Sequence, residues 1–286
     1  MPIDPAALMA FPFEERDHRY ERRDTIFYAL SVGIGSDPLD ERELRFVVER
    51  KLEALPSMPT ILAAPAPWLH RPEAGLTWRK VVNGEQSVTL HGSVPTEGRV
   101  RARTVVEEIV DKGTDGGAIL YLSRVIVDSA TGDAVATIRQ TLICRADGGF
   151  SARTGAARPR RLAPDRASDL RHDMATLPQQ ALLFRLNGDP NPLHCDPQLS
   201  RNLGYAGPIL HGQCSFGMAA VALLRTVLDY RACALREIGA RFSAPVYPGE
   251  TVSFDFWDEG AGEFRFTGRV TARDALVLAD GFALAA

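Results

Sequence analysis

Several features are scarce in this sequence, and each absence excludes a class of protein. No apolar run approaches the roughly 18 residues that a membrane-spanning helix needs. The first sixteen residues have neither a basic start nor a continuous apolar stretch, so we expect no secretory signal there. The formal net charge is −3 over 286 residues, which argues against nucleic-acid binding, because proteins of that class carry basic domains or stripes.

Cysteine and lysine are also rare. The four cysteines form no C-x-x-C pair, so zinc ribbons and thioredoxin-like chemistry are not expected. Free, buried thiols in a reducing, cytoplasmic compartment are predicted instead. Lysine occurs at only three positions, which leaves 30 arginines among the 33 basic residues. Such a bias is associated with GC-rich bacterial genomes.

A change of composition near the middle of the chain predicts two domains. Residues 146–166 are rich in glycine, alanine, arginine and proline and show no apolar period. We interpret this segment as a linker between domains at 1–150 and 165–286. Its arginines could meet anionic groups, but a solvated linker is the simpler interpretation.

Both halves follow the same plan, with helices and loops before long strands. Helices are predicted at residues 25–32, 41–49, 197–203 and 213–228, of which the last is apolar almost all round and should be buried. Strands are predicted at residues 76–82, 87–93, 99–110, 118–127, 134–144, 176–185, 238–242, 251–259, 263–273 and 276–285. Short turn signals such as Asn83-Gly84 separate the strands, which favours an antiparallel sheet packed on a helix, an α+β fold.

A faint internal repeat indicates that the chain is duplicated. Residues 35–40 (GSDPLD) resemble residues 188–194 (GDPNPLH). The first copy carries Asp40 where the second carries His194. If the repeat is real, the second copy alone has kept the reactive groups.

The segment 184–217 carries the densest set of reactive side chains. Two prolines stiffen its loop, so Asp189, Asn191 and His194 are presented from one rigid scaffold. A carboxylate, an amide and an imidazole held together suit general acid–base work on a water molecule. Taken alone, such a pattern is more often a turn with Asx hydrogen bonds.

The same segment predicts a donor for negative charge. Residues 208–212 (PILHG) end where the buried helix should begin, and the first amides of a helix lack internal partners and carry partial positive charge. The Gly212 N–H is therefore a candidate oxyanion donor for a carbonyl that becomes enolate-like. A plain helix start with a packing glycine is the alternative.

Together these motifs, GDPNPLHCDP at 188–197 and GYAGPILHG at 204–212, resemble the hydratase 2 motif of (R)-specific 2-enoyl-CoA hydratases of the MaoC-like group. Further stretches resemble the eukaryotic-type, two-domain form of that family: YALSVG at 28–33, DPL at 37–39, NGEQ at 83–86, DKG at 111–113 and PVYPGE at 245–250. The resemblance implies a double hot-dog fold, with each half an antiparallel sheet wrapped around a buried helix. It also implies a non-catalytic first half that helps to hold the acyl chain.

Roles for single residues follow from the resemblance. Asp189 and His194 match the catalytic acid–base pair, Asn191 matches the amide that helps to position the water, and Gly212 matches the oxyanion-hole glycine. Asn83, Gly84, Lys112 and Phe242 fall where related enzymes contact the acyl-CoA substrate. The implied reaction is reversible hydration of trans-2-enoyl-CoA to (3R)-3-hydroxyacyl-CoA. No metal or other cofactor is expected, CoA being part of the substrate, and a homodimer is expected.

Other interpretations stay open at this point. A hot-dog acyl-CoA thioesterase could use the same aspartate and glycine to activate water at the carbonyl, and a non-catalytic acyl-CoA-binding protein would need neither. A metal site at His194, Asp196 and His211 fits no compact zinc or iron spacing. A nucleophile at Cys214 or Ser215 would lie in a string that is not G-x-S-x-G.

Overall fold

The computed structural model describes residues 3–152 and 154–286, and there the chain forms six α-helices and ten strands. The helices are α1 Pro5–Met9, α2 Arg22–Ser31, α3 Glu41–Leu44, α4 Gln180–Phe184, α5 Pro197–Asn202 and α6 Gly212–Thr226. The strands are β1 Arg16–Tyr20, β2 Val81–Leu90, β3 Gly98–Asp111, β4 Ala118–Asp128, β5 Ala134–Cys144, β6 Leu170–Ala175, β7 Leu235–Phe242, β8 Thr251–Gly260, β9 Glu263–Val270 and β10 Ala275–Ala285.

All ten strands join one antiparallel sheet in the order β1-β3-β4-β5-β2-β7-β10-β9-β8-β6. Read inward from one edge, the order is β1-β3-β4-β5-β2, and from the other edge it is β6-β8-β9-β10-β7. Each strand of the first half therefore corresponds to the strand numbered five higher in the second half. The halves meet where β2 pairs with β7, with Glu85 opposite Arg241 and Thr89 opposite Glu237. This topology confirms the double hot-dog prediction, and the matching strand orders support the duplication.

The long helix α6 fills the core of the second half. Every residue from Cys214 to Leu224 is buried, as the all-round apolar sequence predicts. Gly217 lets α6 lie close to the end of α2, because a β-carbon at this position would lie only 2.6 Å from Cγ1 of Val32. A cluster of buried apolar side chains runs through both halves and includes this contact.

The first half differs from the expectation that each half wraps around a buried helix. Among the described residues, no long helix stands between α3 and β2, where the second half has α6. Three short 3-10 turns occupy this stretch, at Met58–Thr60, Pro72–Ala74 and Trp78–Lys80. Its five prolines explain the difference, because each removes a backbone donor that a helix interior needs.

Three strand predictions differ from the structure. The strand expected at 176–185 lies earlier, as β6, and α4 with its buried Phe184 occupies the predicted span. The strands expected at 76–82 and 87–93 form the single strand β2, since Asn83-Gly84 makes a bulge against β5 rather than a turn. Glycine is needed in this bulge because a β-carbon at Gly84 would lie 2.8 Å from Cγ1 of Ile143.

The segment predicted as a linker contains no helix or strand in its described residues. Its arginines bind groups of the same chain. Arg158 pairs with Glu108 at 2.9 Å and lies over the ring of Tyr121, and Arg160 pairs with Asp280 at 2.7 Å. The segment is thus anchored to both halves, while Arg153 lies outside the described residues. The exact domain boundaries stay a prediction.

The cysteines and the helices bear on two further expectations. Cys144 and Cys214 are buried free thiols as predicted, whereas Cys195 is half-buried and Cys233 is exposed. In the part of the chain that the structure describes, no helix combines the length and the apolar character needed to cross a membrane.

Candidate active site

The loop between α4 and α5 holds the predicted acid–base residues on two successive Asx turns. Oδ1 of Asp189 accepts a hydrogen bond from the Asn191 N–H at 3.1 Å. Oδ1 of Asn191 in turn accepts one from the Leu193 N–H at 3.1 Å and caps the 3-10 turn Pro192–His194. These local bonds and the fixed φ of Pro192 direct His194 inward, where it is buried.

A backbone partner fixes the tautomer of His194. Nδ1 of this ring lies 2.8 Å from the carbonyl oxygen of Ile209. Because a carbonyl oxygen can only accept, Nδ1 carries the proton and Nε2 keeps its lone pair. Burial lowers the pKa of His194 below its ordinary value, so the neutral ring is favoured. A neutral imidazole with an unprotonated Nε2 can take a proton from water.

Gly212 is the first residue of α6, so its N–H has no partner within the helix. The ring of Phe242, at the end of β7, packs against this glycine. A β-carbon at Gly212 would lie 3.1 Å from both Cδ1 and Cε1 of that ring. The site therefore offers a backbone donor at the positive end of a 15-residue helix, bordered by an aromatic wall.

A cavity of about 1210 Å³ joins these groups to the first half of the chain. Its second-half wall includes Asp189, His194, Gly212 and Phe242. Its first-half wall comes from the irregular stretch before β2 and from the inner side of the sheet: Met58, Thr60, Ile61, Leu62, Thr104, Leu122, Arg124, Gln140 and Leu142. The volume exceeds the range of about 300–1,000 Å³ usual for small-molecule sites, which leaves room for a long ligand.

Comparison with known proteins decides the family. The sequence model of the MaoC like domain matches residues 160–278, and that of the MFE-2 hydratase 2 N-terminal domain matches residues 18–146. Over 290 residues the chain is 34% identical to enoyl-CoA hydratase ChsH3 of Mycobacterium tuberculosis, covering 99% of each chain. The chain belongs to the MaoC-like hydratase 2 family.

Further proteins are similar to this chain over nearly its whole length. The chain is 36% identical to 3-hydroxyacyl-thioester dehydratase Y of Mycobacterium tuberculosis, covering 98% of each chain. The solved MaoC-like dehydratase from Phytophthora capsici superposes with a TM-score of 0.85 at 27% identity, covering 99% of each chain. The peroxisomal multifunctional enzyme type 2 of Drosophila melanogaster gives 0.80 at 27% identity, covering 95% of this chain and 48% of that chain.

His211 is a member of this hydratase 2 site that the sequence analysis weighed only as a metal ligand. Its ring stacks on the ring of His194, with centroids 3.6 Å apart. The ring of Phe184 also packs against it, with centroids 5.0 Å apart. Nε2 of His211 lies 3.4 Å from the backbone oxygen of Asp189, and Nδ1 is buried without a hydrogen-bond partner. Burial, and secondly the neighbouring His194, lower the pKa of His211, so both rings are neutral near neutral pH.

One carboxylate oxygen of Asp189 and one ring nitrogen each of His194 and His211 lie within 4.8 Å of one another. This spacing alone would admit a metal ion, but the ring geometry does not suit one. The two ring planes are inclined by only 24°, so their in-plane lone pairs cannot both converge on an ion about 2.1 Å from each nitrogen. The cluster suits a water molecule better, since water needs only hydrogen bonds.

Six of the eight residues that the sequence analysis assigned to the site share the cavity wall: Asn83, Asp189, Asn191, His194, Gly212 and Phe242. Oδ1 of Asn83 is buried there without a hydrogen-bond partner. Gly84 and Lys112 are not part of this wall. Gly84 packs on Ile143, and Nζ of Lys112 donates to the Gly155 carbonyl at 2.9 Å. Their positions give no support to the prediction that they contact the substrate.

Proposed function

We propose that this protein is a hydro-lyase that reversibly hydrates trans-2-enoyl-CoA to (3R)-3-hydroxyacyl-CoA. One observation carries the proposal: a neutral imidazole with a free Nε2, a carboxylate and an unpartnered helix amide line the same cavity, at His194, Asp189 and Gly212. The relatives named as enoyl-CoA hydratase and 3-hydroxyacyl-thioester dehydratase, similar over their full length, support the same reaction.

In the proposed mechanism Asp189 and His194 hold one water molecule beside C3 of the enoyl group. The water oxygen forms the new bond to C3 while His194 Nε2, with Asp189, accepts a proton from it. That proton is then delivered to C2, so water is added across the double bond and the pair returns to its starting state. The negative charge that develops on the thioester oxygen is stabilised by the Gly212 N–H at the start of α6.

The first half is proposed to bind the acyl chain without taking part in the chemistry. Its described residues form no long helix between α3 and β2, and apolar side chains such as Met58, Leu62 and Leu122 line the space that is left. Each methylene buried there gains up to about 0.8 kcal/mol. The value of kcat/KM should therefore rise from four-carbon to medium-chain substrates and then level off where the cavity ends.

Crotonyl-CoA tests the reaction directly. Hydration removes the absorbance of the enoyl thioester and releases no thiol, and chiral analysis of the product should give the 3R isomer. Release of free thiol would instead identify a thioesterase. No change in either signal, with binding retained, would identify an acyl-CoA-binding protein.

The proposal also covers the oligomeric state and the cellular compartment, which the resemblance and the composition suggested. The first is a homodimer, which light scattering of the purified chain measures. The second is residence in a bacterial cytoplasm, for which the free cysteines and the arginine bias are the support. A relative from Arabidopsis thaliana is named as peroxisomal, so fractionation of the source cells is the test.

A further inference from the structure

The first-half wall of the cavity contains a buried guanidinium without a carboxylate partner. Arg124 occupies an inward position of β4 between Leu122 and Ile126, and it is only 5% exposed. Its Nη2 donates to the carbonyl oxygen of Thr60 at 2.9 Å, while Nε is buried with no hydrogen-bond partner. Among the described residues, no carboxylate oxygen lies within 4.0 Å of this guanidinium.

A second largely buried arginine, Arg225, shows what is missing at Arg124. Arg225 on α6 pairs with Glu43 at 2.6 Å and also donates to the carbonyl of Gly33. Taking a guanidinium out of water is costly unless an opposite charge and hydrogen bonds replace the water. Burial lowers the pKa of Arg124 to about 10, so it stays charged at neutral pH. Among the described residues, the Thr60 carbonyl compensates this charge only in part, and no carboxylate pairs with it.

Other polar groups line the cavity wall around Arg124. Thr104 lies directly opposite Arg124 on β3, and Gln140 lies opposite Leu122 on β5. Nδ1 of His18 accepts a hydrogen bond from the Ala63 N–H at 2.9 Å, so the proton of the neutral ring is on Nε2 and can be donated. Burial is the main cause of the lowered pKa of His18, and the charge of Arg124 contributes to it, which places the two groups within electrostatic range.

Two carboxylates, Asp17 and Asp24, line the first-half wall of the cavity, and both are engaged elsewhere. Asp17 accepts hydrogen bonds from Arg99 at 2.7 Å. Asp24 accepts one from the backbone N–H of Glu21 at 2.9 Å, as part of the cap of α2. Neither reaches the guanidinium of Arg124, so the donors on this wall face the cavity without a protein anion.

An all-hydrocarbon acyl chain would not complete this wall. A terminal methyl group against Arg124 would displace water from the guanidinium and return no hydrogen bond. A carboxylate would supply the missing charge and accept from the fork of N–H groups that arginine presents. The apolar residues Met58, Leu62 and Leu122 would still contact the methylene groups on the way.

We propose that the acyl groups preferred by this enzyme carry a carboxylate at the end remote from the thioester, and that Arg124 binds it. The substrate class is then the mono-CoA thioester of an unsaturated dicarboxylic acid. The inference rests on the proposed function for the direction of the chain, with the thioester at Gly212 and the remote end in the first half. A purely structural Arg124 would only brace the turn at Thr60.

The test compares two series of trans-2-enoyl-CoA substrates of matched length, one ending in a methyl group and the other in a carboxylate. At the length that reaches Arg124, kcat/KM of the wild type should be about tenfold or more higher for the carboxylate, the effect of one charge-assisted hydrogen bond. Arg124→Met should abolish or reverse this preference. Arg101→Met, at an exposed position of the neighbouring strand β3, is the matched control and should keep the preference.

A binding measurement keeps the inference testable if Arg124→Met does not fold. Calorimetry with saturated acyl-CoA thioesters, which cannot be hydrated, should show tighter binding of the carboxylate-ended ligand by the wild type. If this preference is found but crotonyl-CoA is not hydrated, the proposed reaction fails and the Arg124 site stands. Equal or weaker binding of the carboxylate at every length, or a uniform loss for both series in Arg124→Met, would overturn the inference.

Discussion

His194 and His211 stack face to face, with ring centroids 3.6 Å apart and planes inclined by 24°. A proton on either ring would place a charge against its neighbour in a buried site, so the stack favours two neutral rings. Burial is the first cause of the lowered pKa of both rings. The ring of His211 also packs against the ring of His194, whose one hydrogen bond among the described residues is to the Ile209 carbonyl.

The pH dependence of hydration follows from this pair. A histidine pKa lowered below the ordinary value of about 6.5 keeps Nε2 of His194 unprotonated at and above that pH. We therefore expect kcat/KM for crotonyl-CoA to be flat above about pH 6.5 and to fall at lower pH, as His194 becomes protonated. A rate that rises on acidification through this range would show that the protonated imidazole is the active form.

The acid–base pair can be tested against a matched position in the first half. Asp189→Asn and His194→Gln should each lower kcat by at least about 10²-fold, the low end for general acid–base catalysis. Asp40→Asn is the control: Asp40 stands where the second half has His194, and its Oδ1 caps α3 by accepting from the Arg42 N–H at 2.9 Å. An amide keeps such an acceptor, so this variant should fold and turn over normally.

Circular dichroism and thermal midpoints establish whether each of these variants is folded. Near-normal turnover in a folded Asp189→Asn or His194→Gln protein would remove that residue from the mechanism. Loss of crotonyl-CoA turnover in folded Asp40→Asn would contradict a chemically silent first half.

The role of Gly212 can be separated from its packing. In Gly212→Ala the new methyl group would lie 3.1 Å from the Phe242 ring, which must shift by a few tenths of an ångström. We expect kcat to fall by less than the ~3 kcal/mol that loss of an oxyanion donor costs, because the N–H remains. Adding Phe242→Leu should recover part of the loss by making room. Steady-state kinetics of both variants measure these changes in kcat. An unchanged kcat with a raised KM would indicate that Gly212 contributes to ground-state binding and not to stabilising the oxyanion.

The sequence predicted those parts of the molecule that local signals determine. The all-round apolar run of α6, the proline-stiffened loop of Asp189 and His194 and the glycine at the helix start are each encoded within a few residues. The structure buries the apolar run in the core and places the loop and the glycine on one cavity. The double hot-dog topology followed from the family resemblance and not from periodicity.

The errors arose where a distant neighbour decides the local structure. Asn83-Gly84 is a strong hairpin signal, but Gly84 is present because Ile143 of β5 leaves no space for a β-carbon. Arg124 was missed for a similar reason. It interrupts the inward apolar positions Leu122 and Ile126 of β4, which is visible in the sequence. That Arg124 faces a cavity follows only from the structure, because the described residues between α3 and β2 form no long helix to cover it.

Substitution of Gly217 tests the close contact between α6 of the second half and the end of α2 in the first half. Alanine is preferred over glycine in a helix by about 1 kcal/mol, so propensity alone would make Gly217→Ala stabilising. The structure predicts the opposite, because the new methyl group would lie 2.6 Å from Cγ1 of Val32 and 3.0 Å from the hydroxyl of Tyr28. Both side chains are fully buried and have no room to retreat, and overpacking of this kind costs about 1–3 kcal/mol.

The urea midpoint of Gly217→Ala should therefore fall below that of the wild type. Val32→Ala in the same chain removes the atom that makes the closest contact, so the double variant should lose less stability than the sum of the two single changes. Gly217 is not part of the cavity wall, so the folded variant should still hydrate crotonyl-CoA. A Gly217→Ala protein at least as stable as the wild type would mean that α6 and the end of α2 can separate freely, and the close packing of the two halves would not be what fixes the cavity between them.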